Sequence, residues 1–268
     1  MIYSFLISQK ICYTNDMPKI KMKPLYTFKE IKYGIDQRTY DKAVGLYENN
    51  KIISFKETPF GFSATVQGTQ KYKVEVGREE YDAGSCNCYL GQHDTLCKHM
   101  IAVAFHASLD GRPIPEDEKV YISEPICSRY AGMLSKDELA ETRKRITAAM
   151  KYIKAYTGPS RTWFQYQNSL FEGRNRLAEI VSNLPVSLQT AKLLINMIIR
   201  LDKKLVSGGV DDSDGTVGGF IEDVVCVLIE YSSFDSKCIQ AFKKLEGISG
   251  CCFNWKEPLL MILHNYLK

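Results

Sequence analysis

Hydrophobic and polar positions change period twice along this chain. Between Tyr40 and Tyr47 the apolar residues Tyr40, Ala43, Val44 and Tyr47 recur at steps of three and four, the spacing of one helix face. Asp36 stands where a helix N-cap is expected, and Asn49-Asn50 closes the pattern. After that, Ile53 and Phe55, then Phe60, Phe62, Ala64 and Val66, then Tyr72, Val74 and Val76 alternate with polar neighbours. A period of two marks half-buried strands, and Thr58-Pro59 and Gln67-Gly68 supply the turns between them. The expectation is a three-stranded antiparallel meander. Its apolar face needs a partner, and the two available are the Asp36 helix and a second, mostly buried helix running from Cys97 through Met100, Ile101, Val103, Ala104 and Phe105 to about Leu109-Asp110-Gly111.

Past Gly111-Arg112-Pro113-Ile114-Pro115 the pattern is helical almost to the end. Ser135 with Glu138 spells a capping box before Leu139, Ile146, Met150 and Ile153, with Gly158-Pro159 as a stop. Further helices are predicted over about 161–182, 185–205, 217–232, 235–246 and 255–267, the last opened by Asn254 with Glu257 three residues on. The predicted fold class is α+β: a small β-meander with a metal knuckle and flanking helices, followed by an all-α helical domain. The division read from the sequence is an N-terminal segment, 1–35, a first module, 36–111, and a helical domain, 112–268.

Composition adds limits. With 45% hydrophobic and 25% charged residues, the chain has the make-up of a folded globular protein. Its apolar runs stay far below the roughly 18 residues of a membrane helix. The opening Met1 to Ile7 is apolar but has no basic flank, breaks at Gln9-Lys10 and lacks a small-residue cleavage pattern, so no secretory signal is expected, and Met17 is an alternative start. Nine cysteines, an odd number with a local cluster, point to reduced thiols and a cytoplasmic setting. The net charge of +4 is uneven: residues 1–160 carry 23 Lys/Arg against 19 Asp/Glu, and residues 161–268 carry 12 of each. Lys19, Lys21, Lys23, Lys29, Lys32, Arg38, Lys42, Lys51 and Lys56 are interleaved with Tyr26, Phe28, Tyr33 and Tyr40. That arrangement suits a phosphate-facing surface and equally a solvated lysine face.

The chemistry concentrates in Cys86-Asn87-Cys88 and Cys97-Lys98-His99. Two close ligand pairs separated by eight residues supply three thiolates and one imidazole, a complete tetrahedral shell for Zn2+ with no open position, hence a structural site. His93, inside the loop, is the alternative imidazole, but the C-x-H spacing favours His99. This pattern, C-x-C, eight residues, C-x-H and then an apolar helix, all preceded by a meander, resembles the SWIM zinc finger, the family named for Swi/Snf ATPases and Mutator transposases. The resemblance covers about residues 36–108, including the Tyr40 to Tyr47 helix, and places the family ligands on Cys86, Cys88, Cys97 and His99. It implies binding of DNA or proteins and no single activity. The helical half is similar, more weakly, to the C-terminal region of uncharacterised prokaryotic SWIM proteins, chiefly in Val210-Asp211-Asp212-Ser213-Asp214-Gly215.

The sequence shows no Gly-rich phosphate loop, nucleophile elbow or paired catalytic carboxylates, so no enzyme is expected. The Asp211 to Asp214 cluster lacks the twelfth-position Glu of a calcium loop and reads as a helix-preceding turn. Trp163, Phe164 and Tyr166 read as core packing, with base stacking as the alternative. The expected function is nucleic-acid binding, DNA or RNA, with Arg38, Lys42, Lys71, Lys73 and Lys98 as phosphate contacts; the alternative is a protein interaction adaptor working through the helical half.

Overall fold

The structure, a computed structural model, describes residues 22–159 and 163–268. Lys19, Lys21, Cys12 and the apolar opening lie outside the described residues.

The chain begins with two short helices, α1 (Phe28–Tyr33) and α2 (Gln37–Glu48). Asp36 caps α2 as expected, its carboxylate accepting from the Thr39 amide at 3.0 Å. Four antiparallel strands follow in the order β1 (Ile52–Thr58), β2 (Gly61–Gln67), β3 (Lys71–Gly77) and β4 (Gly84–Cys86). The fourth strand was not expected. At three residues it is too short to show a period, and it adds to the meander by pairing Val74 with Cys86 and Val76 with Gly84.

Two details of the alternation come out differently. Ile52 and Phe55 both turn inward although they are three apart, because the β1/β2 register slips between Ile53 and Lys56 and Ser54 takes φ of 56°. The bulge adds one residue and leaves Ile53 exposed. Phe60 does not belong to a buried face: Thr58 pairs with Gly61, so Pro59 and Phe60 are the two turn residues and Phe60 is 89% exposed.

Helix α3 (Lys98–Leu109) is the middle layer. Met100 and Val103 join Phe62, Ala64, Val66, Val74 and Val76 under the sheet, while Ile101, Ala102, Ala104 and Phe105 pack on Tyr40, Ala43 and Tyr47 of α2 and on Phe28 and Ile31 of α1. A helix covered on both sides is hydrophobic all round, which is how its sequence reads. The stretch after α3 folds back on this module. Ile114 and Tyr121 enter its core, Tyr47 donates to the Arg112 carbonyl at 2.6 Å, and Tyr40 donates to the carbonyl of Glu118 in the single-turn helix α4 (Glu116–Lys119).

The second core is built by α5 (Lys136–Ala149), α6 (Trp163–Ser182), α7 (Leu188–Val206), α8 (Thr216–Phe234), a 3-10 segment (Ser236–Leu245) and α9 (Glu257–Tyr266). The capping box of Ser135 and Glu138 forms. That of Asn254 and Glu257 does not: Pro258 sits in the first turn, α9 starts later, and its N-cap is Lys256 with no side-chain bond. Among the described residues no helix is long and apolar enough to cross a membrane.

The two cores meet where α1 crosses α6, across a buried polar network. The Lys32 ammonium, 1% exposed, lies 2.9 Å from Glu118 and 3.7 Å from Glu179. Tyr33 donates to Glu179, and Asn175 donates to the Tyr33 carbonyl at 3.0 Å and to the Tyr121 hydroxyl at 2.9 Å. Lys32 is therefore no part of a basic surface. Tyr26, Phe28, Tyr33 and Tyr40 are buried as well, which removes the aromatic interleaving that suggested a phosphate-facing strip there.

Candidate metal centre

Two stretches of chain deliver the cluster. Cys86 ends β4, Cys88 lies just beyond it, Cys97 is the N-cap of α3, and His99 stands in that helix's first turn. All four are buried, and their donor atoms lie within 4.8 Å of one another. The imidazole Nδ1 of His99 is 3.8 Å from the sulfurs of both Cys86 and Cys97. The group can hold a metal ion: one nitrogen and three sulfurs converge on a common centre, and no donor has to leave the core to reach it. His93, by contrast, is exposed, with its Nδ1 2.7 Å from the Tyr89 carbonyl oxygen.

Electrostatics favours thiolate at the helix end. The Cys97 thiol is held below its ordinary value, first by its hydrogen bond with Cys86, then, against burial, by His99 and by the backbone amide of Met100 at the start of α3. Its partner Cys86 is pushed up, by the same hydrogen bond and by burial. Metal binding needs deprotonated sulfur, and the amides of a helix N-terminus stabilise it before any cation arrives.

The sequence reading missed the residues that hold the ligands. Asn87 is stitched to β3 twice, its side-chain oxygen accepting from the Lys73 amide at 2.8 Å and its own amide donating to the Lys73 carbonyl at 3.2 Å. Gly91 donates its amide to the Cys88 sulfur at 3.4 Å, and a Cβ there would stand 2.2 Å from the Cys86 carbonyl oxygen, so only glycine fits. Tyr72 stacks on the His99 ring, centroids 4.2 Å apart and planes at 26°. Gly68, in the β2/β3 turn, closes over the same ring: an added Cβ would come within 2.9 Å of Tyr72 and 3.4 Å of His99 Nε2. That Nε2 is buried without a hydrogen-bond partner. The contact leaves Nδ1, 3.8 Å from two of the sulfurs, as the ring nitrogen placed to face an ion. Glycines at set offsets from the cysteines were the available signal, but a single sequence does not say which glycine a neighbour crowds.

The candidate phosphate contacts divide between two sides. Lys71 and Lys73 are exposed on the outer face of β3, and Lys98 is half-buried beside Cys97. Arg38 and Lys42 are exposed on α2, which packs on the side of α3 away from the sheet. One flat surface cannot touch all five.

The acidic loop before α8 is a capping device. Asp212 accepts from the amides of Val217 at 2.7 Å and Gly218 at 2.8 Å, Asp214 accepts from Thr216 at 3.1 Å, and Asp211 accepts from Trp163 Nε1 at 3.0 Å. Asp212→Ala leaves two amides of the α8 N-terminus without their acceptor. A loss of about 1–2 kcal/mol in urea unfolding is expected, and no change would remove this role. Trp163 and Tyr166 are likewise structural: Tyr166 is buried and donates to the Lys154 carbonyl at 2.9 Å.

No protein-family model, no curated protein and no solved structure matches this chain.

Proposed function

We propose that the metal is Zn2+ and that the first module is a SWIM-type finger that binds nucleic acid, DNA in the first instance, through the outer face of its sheet. The buried set of three thiols and one imidazole carries the zinc reading. At bond lengths of about 2.3 Å to sulfur and 2.0 Å to nitrogen, a tetrahedral ion spaces sulfur from nitrogen by about 3.5 Å. The observed 3.8 Å from His99 Nδ1 to two sulfurs lies close to that spacing. Soft thiolates with one imidazole select zinc over the hard, oxygen-seeking divalent ions. Four protein ligands leave no place for substrate, so the ion organises structure and performs no chemistry.

The nucleic-acid reading rests on Lys73. Its side chain is exposed on the outer sheet face, and its backbone is the strand position to which Asn87, the residue between two ligands, is bonded. Lys71 is exposed on the same face. Backbone amides fixed by the knuckle thus place two cations on a polar surface whose neighbours are Thr65 and Gln67, the cross-strand partners of Lys73 and Lys71. Phosphate contacts of this kind set affinity and register without reading sequence.

Titration of labelled duplex and single-stranded DNA and RNA at several salt concentrations tests this. Lys71→Ala/Lys73→Ala is expected to lower the magnitude of the log-log salt slope by about 1.8 on duplex, or about 1.4 on single strands, with zinc content unchanged and sequence preference unaltered. A wild-type slope retained in the variant sinks the sheet-face reading. Absence of binding to every nucleic acid sinks the function itself.

A further inference from the structure

We propose that the cleft between α1, α5 and α6 binds a small phosphorylated ligand, a compound carrying a phosphate or pyrophosphate group. It is a site separate from the outer face of the sheet. The cleft has a volume of about 510 Å³; α1 contributes Lys29, α5 and the segment after it contribute Arg145, Ala148, Lys151 and Lys154, and α6 contributes Arg176. That size lies within the range of small-molecule sites, and its place at the meeting of two cores is where such sites recur.

The lining carries five basic side chains and no carboxylate. Two of the five are already engaged nearby, Lys29 with Glu118 at 2.8 Å and Arg176 with Glu172 at 2.6 Å. Arg145, Lys151 and Lys154 are exposed and have no carboxylate within ion-pair distance among the described residues. The sequence explains the excess: from Thr142 to Phe171 there are six basic residues and not one acidic residue. Charges of one sign at the mouth of a cleft with apolar walls raise the local concentration of anions.

Arg176 gives the site a fixed centre. Its guanidinium lies 4.7 Å from the ring centroids of both Tyr33 and Tyr152, and Glu172 accepts from its Nε and Nη2. Held by two rings and a carboxylate, it has little rotamer freedom left to lose, and its Nη1 has no protein partner among the described residues. The Ser169 hydroxyl, which donates to the Tyr152 carbonyl at 2.7 Å, can accept a hydrogen bond from a ligand. A fixed guanidinium flanked by three mobile cations matches a compact anion of two or more charges.

Isothermal titration of the full chain with pyrophosphate, with ADP and with a ten-nucleotide single strand tests the proposal. Pyrophosphate or ADP is expected to bind the wild type with one site per chain. Lys151→Ala/Lys154→Ala should weaken that binding at least tenfold. Ala148→Glu, which puts a carboxylate into the cleft from an exposed position of α5, should abolish it. Lys71→Ala/Lys73→Ala should leave it unchanged, which separates this site from the nucleic-acid face. Circular dichroism and metal content confirm that each variant is folded. No binding of either small ligand, or binding indifferent to both cleft variants, overturns the proposal. Cleft-dependent binding of the oligonucleotide alone also overturns it, by assigning the cations to a polymer.

Discussion

Stripping the proposed zinc from the full chain is expected to unfold the sheet and the knuckle while leaving the helical half folded. The ligands are part of the hydrophobic core beneath the sheet: Cys86, Cys88 and Cys97 pack with Phe62, Val66, Val74, Val76, Met100 and Val103. Without the ion, three thiols and an imidazole whose Nε2 has no partner must share a buried site. Structural zinc in small fingers supplies about 10–16 kcal/mol of apparent binding energy, comparable with or larger than the entire stability of an ordinary domain. The opposite face of α3 does not depend on the ion, since Ile101, Ala102, Ala104 and Phe105 pack on α1 and α2, and the core of α5 to α9 contains none of the four ligands. Hydrogen exchange after chelation should therefore show strands β2 to β4 exchanging freely, with α7 protected as before. His99→Ala and Cys88→Ser should give the same pattern, together with loss of the single metal equivalent expected of the wild type. Full protection of the strands after complete chelation would mean that apolar packing alone holds the sheet.

The clustering of Cys86, Cys88, Cys97 and His99 was legible because its geometry is local. Four donors from two tripeptides eleven residues apart need only a turn to meet, and the turn lies inside the motif. The supports of that set were not, because they come from elsewhere: Tyr72 reaches His99 across 27 residues, and Gly68 closes over the same ring from the hairpin turn. Nothing in an alternating strand distinguishes a tyrosine that stacks on a ligand from one that fills a core. The helix after Asp36 and the capping box at Ser135 were readable for the same local reason, whereas the β1 bulge shifts the phase of alternation within a single strand. The charge pattern misled in one place and hid something in another. Lys32 lies in a lysine-rich stretch and reads as solvated, because the carboxylates that bury it arrive 86 and 147 residues later in the chain. The basic run after Thr142 becomes a cleft only when α1 is laid against α5 and α6.

Lys32→Met is expected to cost about 3 kcal/mol. The ammonium is 1% exposed and answers two carboxylates, with Glu118 at 2.9 Å and Glu179 at 3.7 Å. Methionine fills the space but leaves those acids without their shared cation, and breaking a buried pair on one side costs about 3–5 kcal/mol because the remaining charge is uncompensated. The lower end applies here: Lys29, more than half exposed, still reaches Glu118 at 2.8 Å, and Tyr33 still donates to Glu179. The cause can be separated from lost packing with a second substitution. If the penalty is the stranded charge, Lys32→Met/Glu179→Gln should be more stable than Lys32→Met alone, a coupling that simple loss of side-chain contacts does not produce. Acid provides an independent check. Burial by itself raises the Glu118 pKa, but hydrogen bonds from Lys29 and Lys32 outweigh it and hold the carboxyl below its ordinary value. A depressed carboxylate stabilises the fold above its unfolded-state pKa, and that contribution disappears as pH falls through the folded-state value. The stability difference between wild type and Lys32→Met, measured by urea unfolding, should therefore be full near neutrality and shrink below about pH 4. A difference under about 0.5 kcal/mol at pH 7, the range of ordinary surface changes, would show that the α1/α6 contact is held by its aromatic and aliphatic neighbours and that the ion network adds nothing.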